Sequence, residues 1–477
     1  MLRMNAIKIF LLFAVFVCVL CGRDARAATY TATSCNQTDV QSAINLTSSG
    51  DTVIIPNGSC SWSGTINLTQ QITLEGASTG CGVVTGEITP TCPLQVTDTN
   101  PNPCPSGGAP CATNSVLLNI TIGSAARTTI ANIAFLPGTG TGAYILISGT
   151  GPVPIMHDIS FSIPNFQLVQ GVQWMVAGGV IWNMNIYSTS NLSALCNPPS
   201  NGPGSGSGSF VVKSPLNWDN ASTMGMLDTG GVNNLYVENS TFSYVGQIPD
   251  ADDNARVVFR HDTWINSTGG VGHGPTSTYG TRQIELYNNT FEWTNSNISA
   301  DRYFWFRGGT AVITNNSVQA LNSACTGGPS FQFIVEDATR SSIHNCCTVY
   351  GCFHQPGTGA NGVGGSTFQG SISAPPDPFA ISDPIYIWNN TGTGQANISQ
   401  MVGLTDEIGS GCSSGDTTAT FFQRNRDYFV DVTSSSSSGA KPGWVPYTYP
   451  HPLDTGTASA GTPVPPLGVS AVVDTTP

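Results

Sequence analysis

Charge is what this chain has least of. Asp, Glu, Lys and Arg together make up 9% of its 477 residues, which leaves too few charges to cover the outer faces of amphipathic helices and disfavours a helical fold. Basic residues are the scarcer kind: 15 Lys and Arg stand against 28 Asp and Glu, for a formal net charge of −13. Such a surface repels a phosphate backbone, so nucleic acid is a poor partner. Long apolar runs are missing as well. Beyond Ile9 to Leu20, no stretch approaches the ~20 apolar residues of a membrane span. Beyond Cys18 and Cys21 at the end of that apolar run, CxxC spacings of a zinc site are absent, and Cys346-Cys347 with Cys352 suits a stapled loop better.

What is present begins with an export signal over residues 1–27. Arg3 and Lys8 precede the apolar run, and Ala25-Arg26-Ala27 supplies small residues at a cleavage point. Its removal takes four of the 15 basic and one of the 28 acidic residues, leaving 11 and 27, a formal charge of −16. The expected product is soluble, monomeric, and secreted or periplasmic. Twelve of the 14 cysteines remain, an even number that suits several disulfides in an oxidising compartment. Glycine is abundant, at 54 residues, and with Asn, Ser and Thr it points to an all-β chain with many turns.

The decisive pattern is a repeat. With Asn132, Asp158, Asn183, Asn239, His261, Asn288, Asn315, Asn345 and Asn389 set as position zero, position minus two is always apolar: Ile130, Met156, Ile181, Val237, Phe259, Leu286, Ile313, Ile343 and Ile387. Position plus three adds Phe135, Phe161, Ile186, Phe242, Trp264, Phe291 and Val318, and fails only at Thr348 and Gly392. Spacings of 26, 25, 56, 22, 27, 27, 30 and 44 residues imply a solenoid of roughly 26-residue turns with one double gap and late insertions. Period-two alternation before each asparagine makes a strand with one face inward, and successive strands would stack in parallel ~4.8 Å apart. The position-zero asparagine is expected to face inward and hydrogen-bond to the copies above and below. A leucine-rich repeat also carries an asparagine column, but there it follows the last strand leucine by three residues in a leucine core.

Asp39 to Ile44 reads as a short helix ended by Gly50, and Gly50-Asp51-Thr52-Val53-Ile54-Ile55-Pro56 as the first strand; an open solenoid needs such a cap. From here the chain resembles the pectin lyase-like β-helix proteins over roughly residues 35 to 432. That resemblance implies an all-β, single-stranded right-handed parallel β-helix (28–432) with a short capping helix and an irregular Pro-rich C-terminal tail (433–477). Five serines at 434–438 introduce the tail, whose KPGWVPYTYPHPL segment is expected to pack along the solenoid flank.

Chemistry should lie where cations collect, and six of the eleven mature basic residues fall between 256 and 340. Arg256, Arg260, Arg282 and Arg307 are expected to hold the carboxylates of an acidic sugar polymer, a task the planar guanidinium suits. The register sets Tyr236, Glu238, Arg256, Arg260, Glu285 and Tyr287 on one outward face. Pairing of Glu238 with Arg260 one turn away is the plain structural alternative. His273, between glycines in a loop beside this strip, and Tyr287 are candidate bases for β-elimination. Glu285 with Asp252 or Asp253 could instead form the carboxyl pair of an inverting hydrolase. A non-catalytic adhesin or carbohydrate-binding solenoid is the third class.

No cofactor is required. Asp250, Asp252 and Asp253 could offer oxygens to Ca²⁺, though an EF-hand would need Gly at Ala255 and Glu at His261, and a solvated turn is the plainer reading. Asp252-Asp253 and Gly272-His273-Gly274 resemble polygalacturonase elements in order and spacing. The accompanying Arg-x-Lys is absent, as is the Arg-x-Pro-x-x-Arg run of pectate lyases.

Overall fold

The computed structural model describes residues 27–81, 92–104, 111–140, 142–163, 170–188, 210–213, 228–245, 248–252, 254–267, 270–272, 281–293, 302–320, 330–333, 356–360, 380–394, 402–404, 419, 422–431 and 439–454. The strands wind into a right-handed parallel β-helix with three walls. One full rung runs Asp250–Asp252 on wall one, Arg256–Arg260 on wall two and Thr263–Ile265 on wall three. The next runs Val271–Gly272, Gln283–Tyr287 and Thr290–Trp293, and the one after it Arg302–Phe306, Thr310–Thr314 and Ser317–Ala320. Wall one is a 10-stranded sheet, while walls two and three join into a 19-stranded sheet folded at the corner between them. The pairing is parallel and in register, as Val237 opposite Phe259, Phe259 opposite Leu286 and Leu286 opposite Ile313 show.

Every described minus-two and plus-three apolar residue of the repeat points into the solenoid. Ile130, Met156, Ile181, Val237, Phe259, Leu286, Ile313 and Ile387 are all buried, as are Phe135, Phe161, Ile186, Phe242, Trp264, Phe291 and Val318. Aromatic members stack from rung to rung, Phe135 on Phe161 at 5.5 Å and Trp264 on Phe291 at 4.7 Å between ring centroids. Such contacts add to the burial that holds the rungs together.

Position-zero side chains do bond from rung to rung, as Asn183 Nδ2 to Asp158 Oδ1 and Asn389 Nδ2 to Asn315 Oδ1 show, but Asn288, Asn315 and Asn389 are exposed, which corrects the expected inward direction. Position zero is left-handed at Asn132, Asp158, Asn183, Asn239, His261, Asn288, Asn315 and Asn389, with φ between 51° and 59°; Asn345 lies outside the described residues. Asn is the non-glycine residue that takes this conformation at least cost, and the tight bend between walls two and three requires it. The inward ladder is formed by the next residue. Asp262 Oδ1 accepts from Ser240 N at 2.7 Å, Asn289 Oδ1 from Asp262 N at 3.0 Å, Asn316 Oδ1 from Asn289 N at 3.0 Å and Asn390 Oδ1 from Asn316 N at 2.9 Å. The amides of Asn289, Asn316 and Asn390 donate to the carbonyls of Phe259, Leu286 and Ile313. Buried backbone groups at the bend are thereby satisfied.

At the N-terminal end the helix Gln37–Ile44 lays Val40, Ala43 and Ile44 over the first rung. Strand Thr29–Thr31 precedes the predicted first strand and pairs with Thr52–Ile54, covering that edge. Disulfides join Cys35 to Cys60, Cys81 to Cys92 and Cys104 to Cys111, the first tying the cap to the coil. Among the described residues no helix is long and apolar enough to cross a membrane.

Residues 439–454 turn back along wall two toward the N-terminal end as an irregular strap. Lys441 lies over the Tyr386 ring, Trp444 meets Trp388 and Tyr287, and Tyr447 and His451 reach Tyr236. Aromatic and proline residues thus pack on the solenoid flank, over the outward face that carries the charged strip.

Candidate functional site

The strap divides the predicted site residues into two groups. The first lies beneath it. Arg260 projects outward from wall two, as its register requires, yet its side chain is 0% exposed. Its Nε donates to Glu238 Oε1 at 2.8 Å, with a second bond from Nη2 to the same oxygen. Nη1 donates to Tyr287 Oη at 3.0 Å and to Tyr447 O at 2.6 Å, and Nη2 to Thr448 O at 2.8 Å. Tyr236 and Tyr449 flank the guanidinium at 4.6 and 5.3 Å. Its donors face protein on every side, so the strap would have to lift before a polymer could reach them.

Glu285 is equally enclosed. Oε1 accepts from Gly230 N at 2.8 Å and Oε2 from Trp444 Nε1 at 2.9 Å. Burial raises its pKa to about 7 against the pull of those two donors. Tyr287 is pushed well above the usual phenol range by burial, with Arg260 opposing, which makes it a poor base. The expectation of one open polar strip therefore needs correction: the alternation aims these residues outward, but aromatic residues of a distant segment cover them.

The second group gathers at the corner where wall one turns into wall two. Backbone bonds stack this corner rung on rung: Arg282 N donates to Ala255 O at 3.0 Å, Thr310 N to Arg282 O at 3.3 Å and Arg307 N to Gly272 O at 2.8 Å. Arg256, Arg282 and Arg307 thus lie around one corner on three successive rungs, at different register positions, and Arg282 and Arg307 are buried. Arg256 is half-buried; burial lowers its pKa, Asp228 opposes this and Arg282 adds to it, although an arginine keeps its charge. Arg282 Nη1 pairs with Asp383 Oδ2 at 2.8 Å. Arg307 sits over the Trp305 ring at 4.9 Å. Gly309, at φ 68° and with Thr281 O only 2.2 Å from where a Cβ would stand, lets the chain turn here.

Wall one supplies Asp250, which is buried, and Asp252, whose backbone is in register with Lys213. His273 follows the strand Val271–Gly272 in sequence and, like Asp253, lies outside the described residues. Glu285 stands on wall two and Asp252 on wall one, and the alternative partner Asp253 lies outside the described residues. Among the described residues no three His, Cys, Asp or Glu side chains are grouped to hold a metal ion. Sequence reasoning missed Trp305, Asp228 and Asp383, which stand outside the register of the repeat. It noticed the tail aromatics without the means to place them on Arg260.

No family model matches this chain, and no curated protein matches it. Solved structures do. An alginate lyase from Paenibacillus sp. str. FPU-7 is 15% identical, over 63% of this chain and 99% of that one, with a TM-score of 0.32. A pectin methylesterase from Erwinia chrysanthemi is 9% identical over 80% and 94%, with a TM-score of 0.32. A PL6 family polysaccharide lyase from Pseudopedobacter saltans is 10% identical over 82% and 79%, with a TM-score of 0.33. The β-helix assignment rests on the strand register itself.

Proposed function

We propose that this is an exported, carbohydrate-active β-helix protein that cleaves an acidic, uronate-containing polysaccharide by β-elimination at the corner between walls one and two. The observation that carries this is the presence of Arg256, Arg282 and Arg307 around one corner on three successive rungs in a chain otherwise poor in cations. An extended polymer with one carboxylate per sugar suits cations repeated along a rigid edge. The three disulfides among the described residues suit an exported protein.

In the proposed step, guanidinium groups neutralise a uronate carboxylate and make the adjacent proton easier to remove. His273 takes that proton. The C–H electron pair becomes the new C=C bond, and the glycosidic oxygen leaves with its bonding electrons and gains a proton from solvent. Tyr287, sealed beneath Trp444, is not assigned the base role. Calcium at Asp250, Asp252 and Asp253 remains a proposal, and no step passes through it.

The test is incubation with a panel of uronate polymers, with and without Ca²⁺, following unsaturated ends and total reducing ends separately. Unsaturated ends are expected, falling about 100-fold or more in His273→Ala and strongly in Arg256→Ala. Reducing ends without unsaturation would replace the lyase assignment with a hydrolase. Unchanged turnover in both variants would remove the site. A non-catalytic binding solenoid is the second reading, favoured by the Arg282–Asp383 and Arg260–Glu238 pairs, which already spend two of the cations. It calls for polymer binding without new ends.

A further inference from the structure

The strap rests on an unusual floor. It packs through Trp444, Tyr447 and Leu453 on Val180, Trp182, Tyr236, Val258 and Tyr287, but it also covers Glu238, Arg260 and Glu285, charged groups fully buried beneath it. Keeping such groups from water is costly even when paired, and all of them could be hydrated if the strap lifted. The strap also lacks a ladder of its own. Its backbone joins wall two through His451 N to Glu238 Oε2 at 3.0 Å and through the carbonyls of Tyr447 and Thr448 on Arg260; Trp444 and Tyr449 add side-chain bonds. Val445 is 70% exposed and Tyr449 41%. The floor strands Leu235–Glu238, Arg256–Arg260 and Gln283–Tyr287 are instead paired with neighbours on both sides. Few tertiary bonds over a fully laddered floor describe a unit that opens below the free energy of global unfolding.

What the strap presents to the floor says what else could lie there. Arg260 receives two oxygens, Glu285 and Glu238 each receive an N–H, and Tyr236 and Tyr287 receive flat rings. A saccharide chain offers the same set: oxygens for a guanidinium, hydroxyls for carboxylates and C–H faces for aromatic rings. We infer that residues 439–454 are a releasable, autoinhibitory strap, and that the trough beneath it is a second saccharide-binding site separate from the corner. The saccharide identity rests on the proposed function; the release does not.

The test has two arms on the full chain. In hydrogen exchange of the wild type, strap amides should exchange about tenfold or more faster than those of the floor strands, and Trp444→Ala should speed the strap further while leaving the floor protected. Strap and floor exchanging together, only with global unfolding, would overturn the release. In the second arm, Trp444→Ala should bind a uronate polymer more tightly than wild type, and adding Glu285→Gln should remove that gain. A strap shown open by exchange but without any gain would overturn the trough as a binding site. Arg256→Ala reports the corner independently, so failure of either site is distinguishable from failure of the other.

Discussion

Glu238 and Arg260 are register partners on adjacent strands of wall two, with Arg260 Nε 2.8 Å from Glu238 Oε1 and neither side chain exposed. Burial raises the Glu238 pKa and Arg260 opposes that rise. The pair is the hub of the strap: Arg260 carries the Tyr447 and Thr448 carbonyls, and Glu238 carries His451 N.

Removing one partner should therefore cost far more than removing both. Arg260→Ala leaves a buried carboxylate uncompensated and should lower unfolding stability by about 3–5 kcal/mol. The double variant Glu238→Leu with Arg260→Met should lose much less. A denaturant-unfolding cycle measures this, and equal losses in single and double variants would contradict the pairing.

Asp262 occupies an asparagine position in the inward ladder. Asn289, Asn316 and Asn390 each donate their amide to the carbonyl two residues before the position-zero residue of the preceding rung. Asp262 Oδ2 is buried without a hydrogen-bond partner, and the carbonyl equivalent by register is that of Val237, an acceptor that a carboxyl group could engage only when protonated. Burial pushes its pKa well above the usual carboxylate range, opposed by the bond from Ser240 N. A raised folded pKa means that the native state holds a proton the unfolded chain releases, so stability is lost as pH rises above the unfolded value. Asp262→Asn should accordingly be more stable than wild type at pH 7, with the advantage shrinking toward pH 4. A variant no more stable at pH 7 would count against a neutral Asp262.

His451 should make the strap sensitive to acid. Its Nδ1 accepts from Leu453 N at 3.1 Å, which requires the unprotonated nitrogen, and burial, aided by Arg260 and Arg127, lowers its pKa to about 4. Folded stability from this group is present above about pH 6.5 and is lost as pH falls toward 4, because only the unfolded chain takes up the proton. His261, stacked on Tyr449 and also lowered to about 4 by burial, acts in the same direction. Glu285, raised to about 7, acts oppositely over its own window. His451→Gln should reduce the fall in Tm between pH 6.5 and 4 without abolishing it. An unchanged pH slope would contradict the assignment.

The solenoid was legible because a one-dimensional fold repeats its demands on the sequence: each rung needs an inward residue at minus two and plus three, and the chain states this at Val237 and Phe242 and again at Leu286 and Phe291. Choosing between the asparagines of Asn288-Asn289 was harder. Both residues of the bend are polar, and only backbone geometry shows that the first takes positive φ while the second enters the ladder. The site was half legible. Alternation aimed Arg260, Glu285 and Tyr287 outward, but nothing local to them says that Trp444, 159 residues beyond Glu285, will cover the wall. Arg282 and Arg307 reach the corner through turns of unequal length, which a fixed repeat does not register.

The most direct test of where this protein works is hydrogen exchange in the presence and absence of a bound uronate polymer. Polymer should slow exchange at the stacked corner, in peptides spanning Ala255–Arg256, Thr281–Gln283 and Trp305–Thr310, while wall three around Thr241, Thr263 and Thr290 is unaffected. Slowing confined to wall three, or no change at the corner under saturating polymer, would contradict it.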